Sequence, residues 1–150
     1  MSLSIQTKTL LNGTISAFKE ILPNQVTVQA PKPFNLPHAH LNYCVLVGMV
    51  GDVKARIIID ADQSLFAKLC QSLYGFELDG DLLESFVGEF GNMVAGKLCS
   101  FSATDNIQLD ITTPTVMIGE TQIPMIQHTF SLPISIATIG DVNLLLTIES

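Results

Sequence analysis

The chain has 150 residues, which suffices for one domain with a substantial apolar core. Its 47% hydrophobic content argues against disorder, and no apolar run approaches the roughly 20 residues of a membrane helix. We therefore expect a single water-soluble domain spanning residues 1–150, with no membrane insertion. Fourteen acidic against seven basic residues give a net charge of −7, which excludes nucleic acid as a partner.

Three widely spaced cysteines are typical of reduced thiols in a cytoplasmic protein: Cys44, Cys70 and Cys99. The N-terminal segment "MSLSIQTKTLLNG" lacks the pattern of a signal peptide, in which positive charges precede an apolar run. The sequence therefore predicts a cytoplasmic location.

The first part of the chain predicts one helix and then three strands. Residues 4–22 repeat apolar side chains at helical spacing, and "PN" follows them. The alternating segment "QVTVQA" predicts a strand, and "PKPFNLPHAH" predicts a loop or a sheet edge. The β-branched runs "LNYCVLVGMV" and "VKARIIID" flank Gly51-Asp52, which predicts a hairpin.

The second part predicts two helices and three further strands. Asp62 can cap a helix over "QSLFAKLCQSLY" that Gly75 ends, and Asp79-Gly80-Asp81 precedes a second helix over Leu82–Ser100. The remaining segments are strand-like, namely "NIQLDITTPTVMIGE", "PMIQHTFSLPISIATI" and "VNLLLTIES", with a tight turn at Gly140-Asp141. The order α-β-β-β-α-α-β-β-β favours an α+β fold: a six-stranded mixed or antiparallel sheet with helices packed on one face.

The Leu82–Ser100 helix carries a polar stripe beside its apolar face. At 100° per residue one face is apolar, consisting of Leu82, Leu83, Phe86, Phe90, Met93 and Val94. A second stripe, about 60° wide, contains Ser85, Glu89, Asn92 and Gly96. Gly88, Gly91 and Gly96 each cost about 1 kcal/mol relative to alanine, so we expect another surface to approach this helix closely. The periodicity alone favours a simpler interpretation, a solvated face on an otherwise buried helix whose glycines serve tight packing.

Two other motifs do not support a site. "GNMVAGK" matches most of the phosphate-binding glycine loop, but Leu98 replaces the required hydroxyl and no strand precedes it, which excludes ATP binding. His38 and His40 could share a strand face and bind zinc, yet no neighbouring third ligand completes the set, so a polar role and no metal are predicted. A Cys-His nucleophilic pair, or His128 joining the other histidines, would depend on the fold.

The pattern Ser85-x-x-x-Glu89-x-x-Asn92, followed by Pro114, resembles the signature of the CheC/CheX chemotaxis phosphatases. The resemblance extends over the first helix, the "VGMVGDVKARIIID" hairpin and the order of elements. The helix over 62–75 has no E-x-x-N, so the chain is most similar to CheX-type members with a single site.

The resemblance implies a hydrolase that removes the aspartyl phosphate from a CheY-like response regulator, in chemotaxis or related two-component signalling. It implies that Glu89 pairs with the receiver's lysine and that Asn92 orients a water. The remaining stripe and glycine positions would support the site or contact the partner: Ser85, Gly88, Gly91 and Gly96. We expect no cofactor on this chain, with Mg2+ held by the receiver.

The resemblance further implies a homodimer that pairs through its sheets. We expect the nearly uncharged "SIATIGDVNLLLTIES" to offer the exposed edge for this contact. Two alternatives remain open at this stage. One is a non-catalytic adaptor that binds a receiver domain, and the other is a small-molecule-binding or structural domain with chance polar residues on the helix.

Overall fold

The computed structural model describes residues 4–125 and 128–149. Its three helices are α1 (Ile5–Ile21), α2 (Gln63–Tyr74) and α3 (Gly80–Thr104). Its strands, in chain order, are β1 (Val26–Val28), β2 (Lys32–Pro33), β3 (His38–Gly51), β4 (Lys54–Ala61), β5 (Leu109–Ile111), β6 (Thr115–Pro124), β7 (Thr129–Ile136) and β8 (Gly140–Glu149).

The strands form one antiparallel sheet in the order β1-β7-β8-β4-β3-β5, with β2 also paired to β7 and β6 to β3. The predicted α+β class is confirmed, but the described sheet has eight strands and not six. One extra strand, β2, lies in the predicted loop or edge. The other arises because the segment predicted as one strand divides into β5 and β6, where Thr112 bonds to Gly48 through both its backbone and its hydroxyl. Pro114, which has no N–H to donate, follows at this break.

All three helices pack on one face of the sheet, as predicted. Alternate side chains of the central strands point to this face and are fully buried, among them Val45, Val47, Ile57, Ile59, Leu144 and Leu146. α1 lies along α3: the Phe18 and Phe90 rings meet edge to face at 5.8 Å, and Lys97 Nζ lies 2.8 Å from Glu20 Oε1. Gly13 permits this close contact of α1 with α3, because a Cβ at position 13 would lie 2.7 Å from Leu98 Cδ1.

The opposite face carries a second, smaller apolar cluster. Its buried members are Ala39, Leu41, Cys44, Ile58 and Leu145. The β3–β6 pairing shifts register between Leu41 and Tyr43. The two-stranded part on the far side of this shift, residues 38–41 with 121–124, folds over this face of the sheet. Arg56 Nη2 of β4 donates a hydrogen bond to Pro124 O there, at 3.3 Å. The sheet is therefore covered on both sides in its middle.

Local signals place the helix ends close to the predicted positions. Ser4 caps α1 by accepting a hydrogen bond from the Thr7 N–H, Asp62 occupies the N-cap position of α2, and Gly75 ends α2 at a left-handed φ of 86°. The α3 helix is longer than predicted at both ends. Leu82 does not belong to its buried face, since 64% of this residue is exposed: it lies at the border of the apolar face, where no described element covers it.

The prediction that β8 offers a free edge is wrong. β8 pairs with β4 over residues 143–149 and with β7 over residues 140–147, and lies in the interior of the sheet. The turn before it also starts earlier than predicted, because Thr138 takes the left-handed conformation and Gly140 already begins β8. No helix among the described residues combines the length and apolar character needed to cross a bilayer.

Candidate active site

The predicted polar stripe lies on the side of α3 that faces away from the sheet. The inward positions are filled by apolar side chains, which pack on β3 and α1 and fix the rotation of the helix: Leu83, Phe86, Val87, Phe90, Val94 and Leu98. This rotation leaves Ser85 and Glu89 exposed, and Asn92 and Gly96 half-buried. The structure thus brings these four predicted residues onto one accessible surface.

The side chains of Glu89 and Asn92 are one helical turn apart, at i and i+3, where neighbouring side chains can reach the same object. Within residues 4–125 and 128–149, neither side chain makes a hydrogen bond or an ion pair. The carboxylate and the amide are therefore both available to a group from outside the chain. A carboxylate accepts hydrogen bonds only, whereas an amide both donates and accepts.

The glycines of α3 fall into different environments. A Cβ on Gly91 would lie 2.6 Å from Val45 Cγ2 and 2.8 Å from Val45 Cγ1, so this glycine permits the close contact of α3 with β3. Its position corrects the expectation that Gly91 faces a partner. A Cβ on Gly88 would lie 3.5 Å from Val116 Cγ2 of β6, and one on Gly96 would meet nothing within 4 Å. Gly96 is the one of these three glycines that borders open space. It belongs to the polar stripe of Ser85, Glu89, Asn92 and Gly96, which we call the outer stripe from here on.

The cysteines do not provide a nucleophile. Burial, followed by the charge of Asp60, raises the pKa of the Cys44 thiol to about 11. Burial and then Asp110 raise the pKa of Cys99 to about 11, and burial raises the pKa of Cys70. All three thiols are therefore protonated near neutral pH, and a nucleophilic cysteine requires the opposite shift of its pKa.

The structure gives no support for a site at the histidines or at the glycine-loop match. His38 and His40 share one exposed face at the start of β3, and no group of three potential metal ligands occurs among the described residues. "GNMVAGK" lies inside α3, where its backbone N–H groups are used by the helix and cannot cradle a phosphate.

Tyr74 and Phe76 were not among the predicted site residues, yet their exposed rings lie beside the outer stripe, where Tyr74 contacts Phe86 and Met93 of α3. The available signal was their position on either side of Gly75, the residue that ends α2. Aromatic residues on both sides of a residue that ends a helix lie where the chain turns toward the surface, so their exposure could have been expected.

The family model for the chemotaxis phosphatase CheX matches residues 43–133, which include α3 and most of the sheet. A curated relative, the CheY-P phosphatase CheX of Thermotoga maritima, is 27% identical over an alignment of 150 positions, which includes 94% of this chain and 96% of the relative.

Solved structures agree in fold. CheX from Vibrio vulnificus superimposes with a TM-score of 0.79 at 22% identity, covering 97% of this chain and all of the other. A CheX–CheY–BeF3–Mg2+ complex from Borrelia burgdorferi contains a chain that superimposes with a TM-score of 0.75 at 21% identity, covering 95% of this chain and 97% of that one. The family match extends over more than half of the residues, and the chain belongs to the CheX family of chemotaxis phosphatases.

Proposed function

We propose that this chain hydrolyses the aspartyl phosphate of a CheY-like response regulator, and that Glu89 and Asn92 carry the activity. The observation that supports this most directly is the pair itself, which lies on the outer face of α3 without a partner among the described residues. The proposal also draws on family membership and on the relative in Thermotoga maritima, whose name states the same activity.

Hydrolysis of an aspartyl phosphate requires the phosphatase mainly to position the attacking water. An aspartyl phosphate is a labile mixed anhydride, so hydrolysis needs no strong base. Water adds to phosphorus, the bond from phosphorus to the aspartyl oxygen breaks, and the receiver's carboxylate and inorganic phosphate are released. Phosphoryl transfer of this kind is accelerated mainly by orientation and electrostatic stabilisation. The receiver contributes its aspartate, a lysine and a metal ion, and an oriented water is what it lacks.

Asn92 suits the task of holding that water. Its amide can accept a hydrogen bond from the water and donate another to a phosphoryl oxygen. Asn92 is half-buried, whereas Glu89 is exposed, and partial burial leaves the Asn92 side chain fewer orientations than a fully exposed one would have. Positioning of this kind can contribute several kcal/mol to the lowering of the barrier.

Glu89 would be repelled by a phosphoryl group unless a cation lay between them. We therefore assign Glu89 to the receiver's lysine, where a charge-assisted hydrogen bond anchors the complex. Ser85, one turn before Glu89, is exposed and is assigned to contact with the receiver surface. Gly96 leaves the other end of the stripe open for that surface.

Mg2+ belongs to the receiver in this proposal. The Borrelia burgdorferi complex contains Mg2+ together with CheX, CheY and BeF3, which is the expected arrangement if the ion accompanies the receiver. We expect turnover to require Mg2+ and the isolated chain to purify without a stoichiometric metal. A single domain over residues 1–150 and a cytoplasmic location also remain predictions.

The test is the decay of a phosphorylated CheY-like receiver at saturating phosphatase. Asn92→Ala should lower turnover by roughly a hundredfold or more while leaving receiver binding largely intact, because it removes the group that holds the water. Glu89→Ala should weaken turnover and binding together, because the anchoring contact with the lysine is lost. Asn12→Ala, at an exposed position of α1, is the matched control and should behave as the parent.

Three outcomes separate the candidate functions. Faster decay with the parent and loss of this effect in Glu89→Ala/Asn92→Ala supports the proposal. Binding by the parent without turnover would identify a receiver-binding adaptor. A double variant that hydrolyses as fast as the parent would show that the outer stripe of α3 is not the active surface.

A further inference from the structure

Three large apolar residues are exposed at the junction of α2 and α3. Tyr74 is 49% exposed, Phe76 54% and Leu82 64%. We call these three residues the Tyr74 patch. Exposed apolar side chains that occur singly are ordinary, but a contiguous group indicates a surface that another molecule covers.

The two aromatic members of the Tyr74 patch are held in place by ring contacts. The Tyr74 and Phe76 rings are stacked with their centroids 6.4 Å apart, and Tyr74 meets the buried Phe86 ring edge to face at 5.7 Å. The Tyr74 hydroxyl lies 4.0 Å from Met93 Sδ. Gly75 turns the chain with its φ of 86°, and this turn brings Phe76 beside Tyr74. Rigid aromatic side chains lose little conformational entropy when they are covered, which makes them effective anchors of an interface.

The Tyr74 patch continues directly into the outer stripe of α3. Met93, which Tyr74 contacts, follows Asn92 in the chain, and Phe86 follows Ser85. Leu82 precedes Glu89 by seven residues, so it lies on nearly the same side of the helix and about 10 Å along its axis. A globular partner that covers Glu89 and Asn92 therefore also meets these apolar side chains.

Acidic residues surround the Tyr74 patch. Glu77, Asp79 and Asp81 are exposed between Phe76 and Leu82, and Glu84 lies one turn further along α3. An acidic partner surface would be repelled here, whereas an apolar surface bordered by lysine or arginine would be complementary.

We infer that the Tyr74 patch docks the phosphorylated receiver itself, through an apolar surface with a basic border next to the receiver's phosphorylation pocket. The inference rests on the proposed function and adds to it a division of labour. The patch sets the affinity for the receiver, while Asn92 sets the rate of the chemical step. Its acidic border selects among receivers by the charge beside their pockets.

The experiment separates KM from kcat for the phosphorylated receiver. Tyr74→Ser/Phe76→Ser should raise KM at least tenfold and leave kcat within about twofold, because these residues do not touch the reacting atoms. Asp79→Lys should raise KM for the same receiver, and added salt should raise the KM of the parent. Leu36→Ser removes an apolar side chain of similar exposure, 61%, from the segment between β2 and β3, and should leave both constants unchanged.

Phe76→Ala and Leu82→Ala are the second set of variants, since neither side chain supports the buried core as Tyr74 does through Phe86. Each should raise KM several-fold. Unchanged KM values across both sets, with a parent that turns over normally, would overturn the patch and leave the proposed function standing.

A parent that does not turn over would refute the proposed function instead. The patch would then be judged by receiver binding, measured by titration calorimetry of the same variants. Weaker binding by the patch variants alone would support it, and either equal binding or no binding by the parent would overturn it.

Discussion

The glycines of α3 illustrate how one residue type serves opposite purposes within a single helix. Gly91 is buried against Val45, and its lack of a side chain sets the distance between α3 and the sheet. Gly96 lies on the outer surface with open space around it. Both lose the same extra backbone freedom when the chain folds, so substituting each by alanine separates the effect of packing from that of backbone entropy.

Gly91→Ala should destabilise the fold by about 1–2 kcal/mol. The gain in helix propensity is about 1 kcal/mol, but the new methyl would overlap with Val45, a β-branched residue in an interior strand that cannot turn away. Gly96→Ala should stabilise by about 0.5–1 kcal/mol and yet reduce turnover, because its methyl stands on the surface that we assign to the receiver. Urea unfolding followed by circular dichroism measures the stability of both variants, and the decay of phosphorylated receiver measures the turnover of Gly96→Ala. Equal stability of the two variants would contradict this explanation.

The polar residues of the candidate site were predictable because helical rotation is uniform. Ser85, Glu89 and Asn92 fall on one stripe in any regular helix, whatever packs behind it. The environment of Gly91 was not predictable in this way, since it depends on Val45, which is 46 positions earlier in the chain and meets α3 only in the folded sheet. The signature could predict which polar side chains share a face of α3, but not the contacts beneath that face.

At the scale of elements, the helix ends differ in how they are capped. The Ser4 side chain accepts a hydrogen bond from the Thr7 N–H at 3.1 Å. Asp62 and Asp79 occupy the N-cap positions of α2 and α3, but neither side chain makes a capping hydrogen bond. Their contribution is therefore limited to the interaction of a negative charge with the helix dipole.

Ser4→Ala should accordingly lower the free energy of unfolding by about 1 kcal/mol, and Asp62→Ala by only a few tenths of a kcal/mol. Added salt should shrink the smaller effect further, because it screens the charge of Asp62. Urea unfolding at two salt concentrations tests the pair. A larger loss for Asp62→Ala than for Ser4→Ala would mean that the Asp62 carboxylate does cap α2 in solution.

Elements specified by neighbouring residues were predicted well, and those specified by distant partners were not. Gly75 ends α2 and the Gly51-Asp52 turn joins β3 to β4, and both signals lie at the ends of the elements that they delimit. The neighbours of β8 come from β4 and β7, so its interior position could not be derived from its own apolar sequence. A strand in the interior of a sheet and an edge strand that pairs with another chain can have the same apolar composition.

At the scale of the whole molecule, β8 cannot provide the predicted dimer contact, because both of its edges are paired within the sheet. Among the described strands, β6 pairs only with β3, which leaves the other edge of this ten-residue strand without a β partner. Such an edge is a template for pairing with a second copy. We therefore propose β6 as the dimer edge.

Light scattering at micromolar concentration should give twice the mass of one chain. Glu120→Lys/Gln122→Lys places lysines on β6 in both copies and should shift the mass toward the monomer. Thr27→Lys, on the short edge strand β1, is the control and should remain dimeric. A monomeric parent would contradict the dimer, and a dimeric double variant would locate the contact on another surface.

The interior position of β8 also has a consequence for how the protein is made. Synthesis proceeds from the N-terminus, so α3 and its polar stripe emerge long before the strand that joins β4 to β7. Until β8 leaves the ribosome, the nascent chain holds two separate strand groups whose inner edges and apolar faces are open to solvent, a condition that invites chaperones or aggregation. The proposed catalytic face is thus translated early but acquires its rigid support late, and a nascent chain arrested before β8 should remain sensitive to protease along α3.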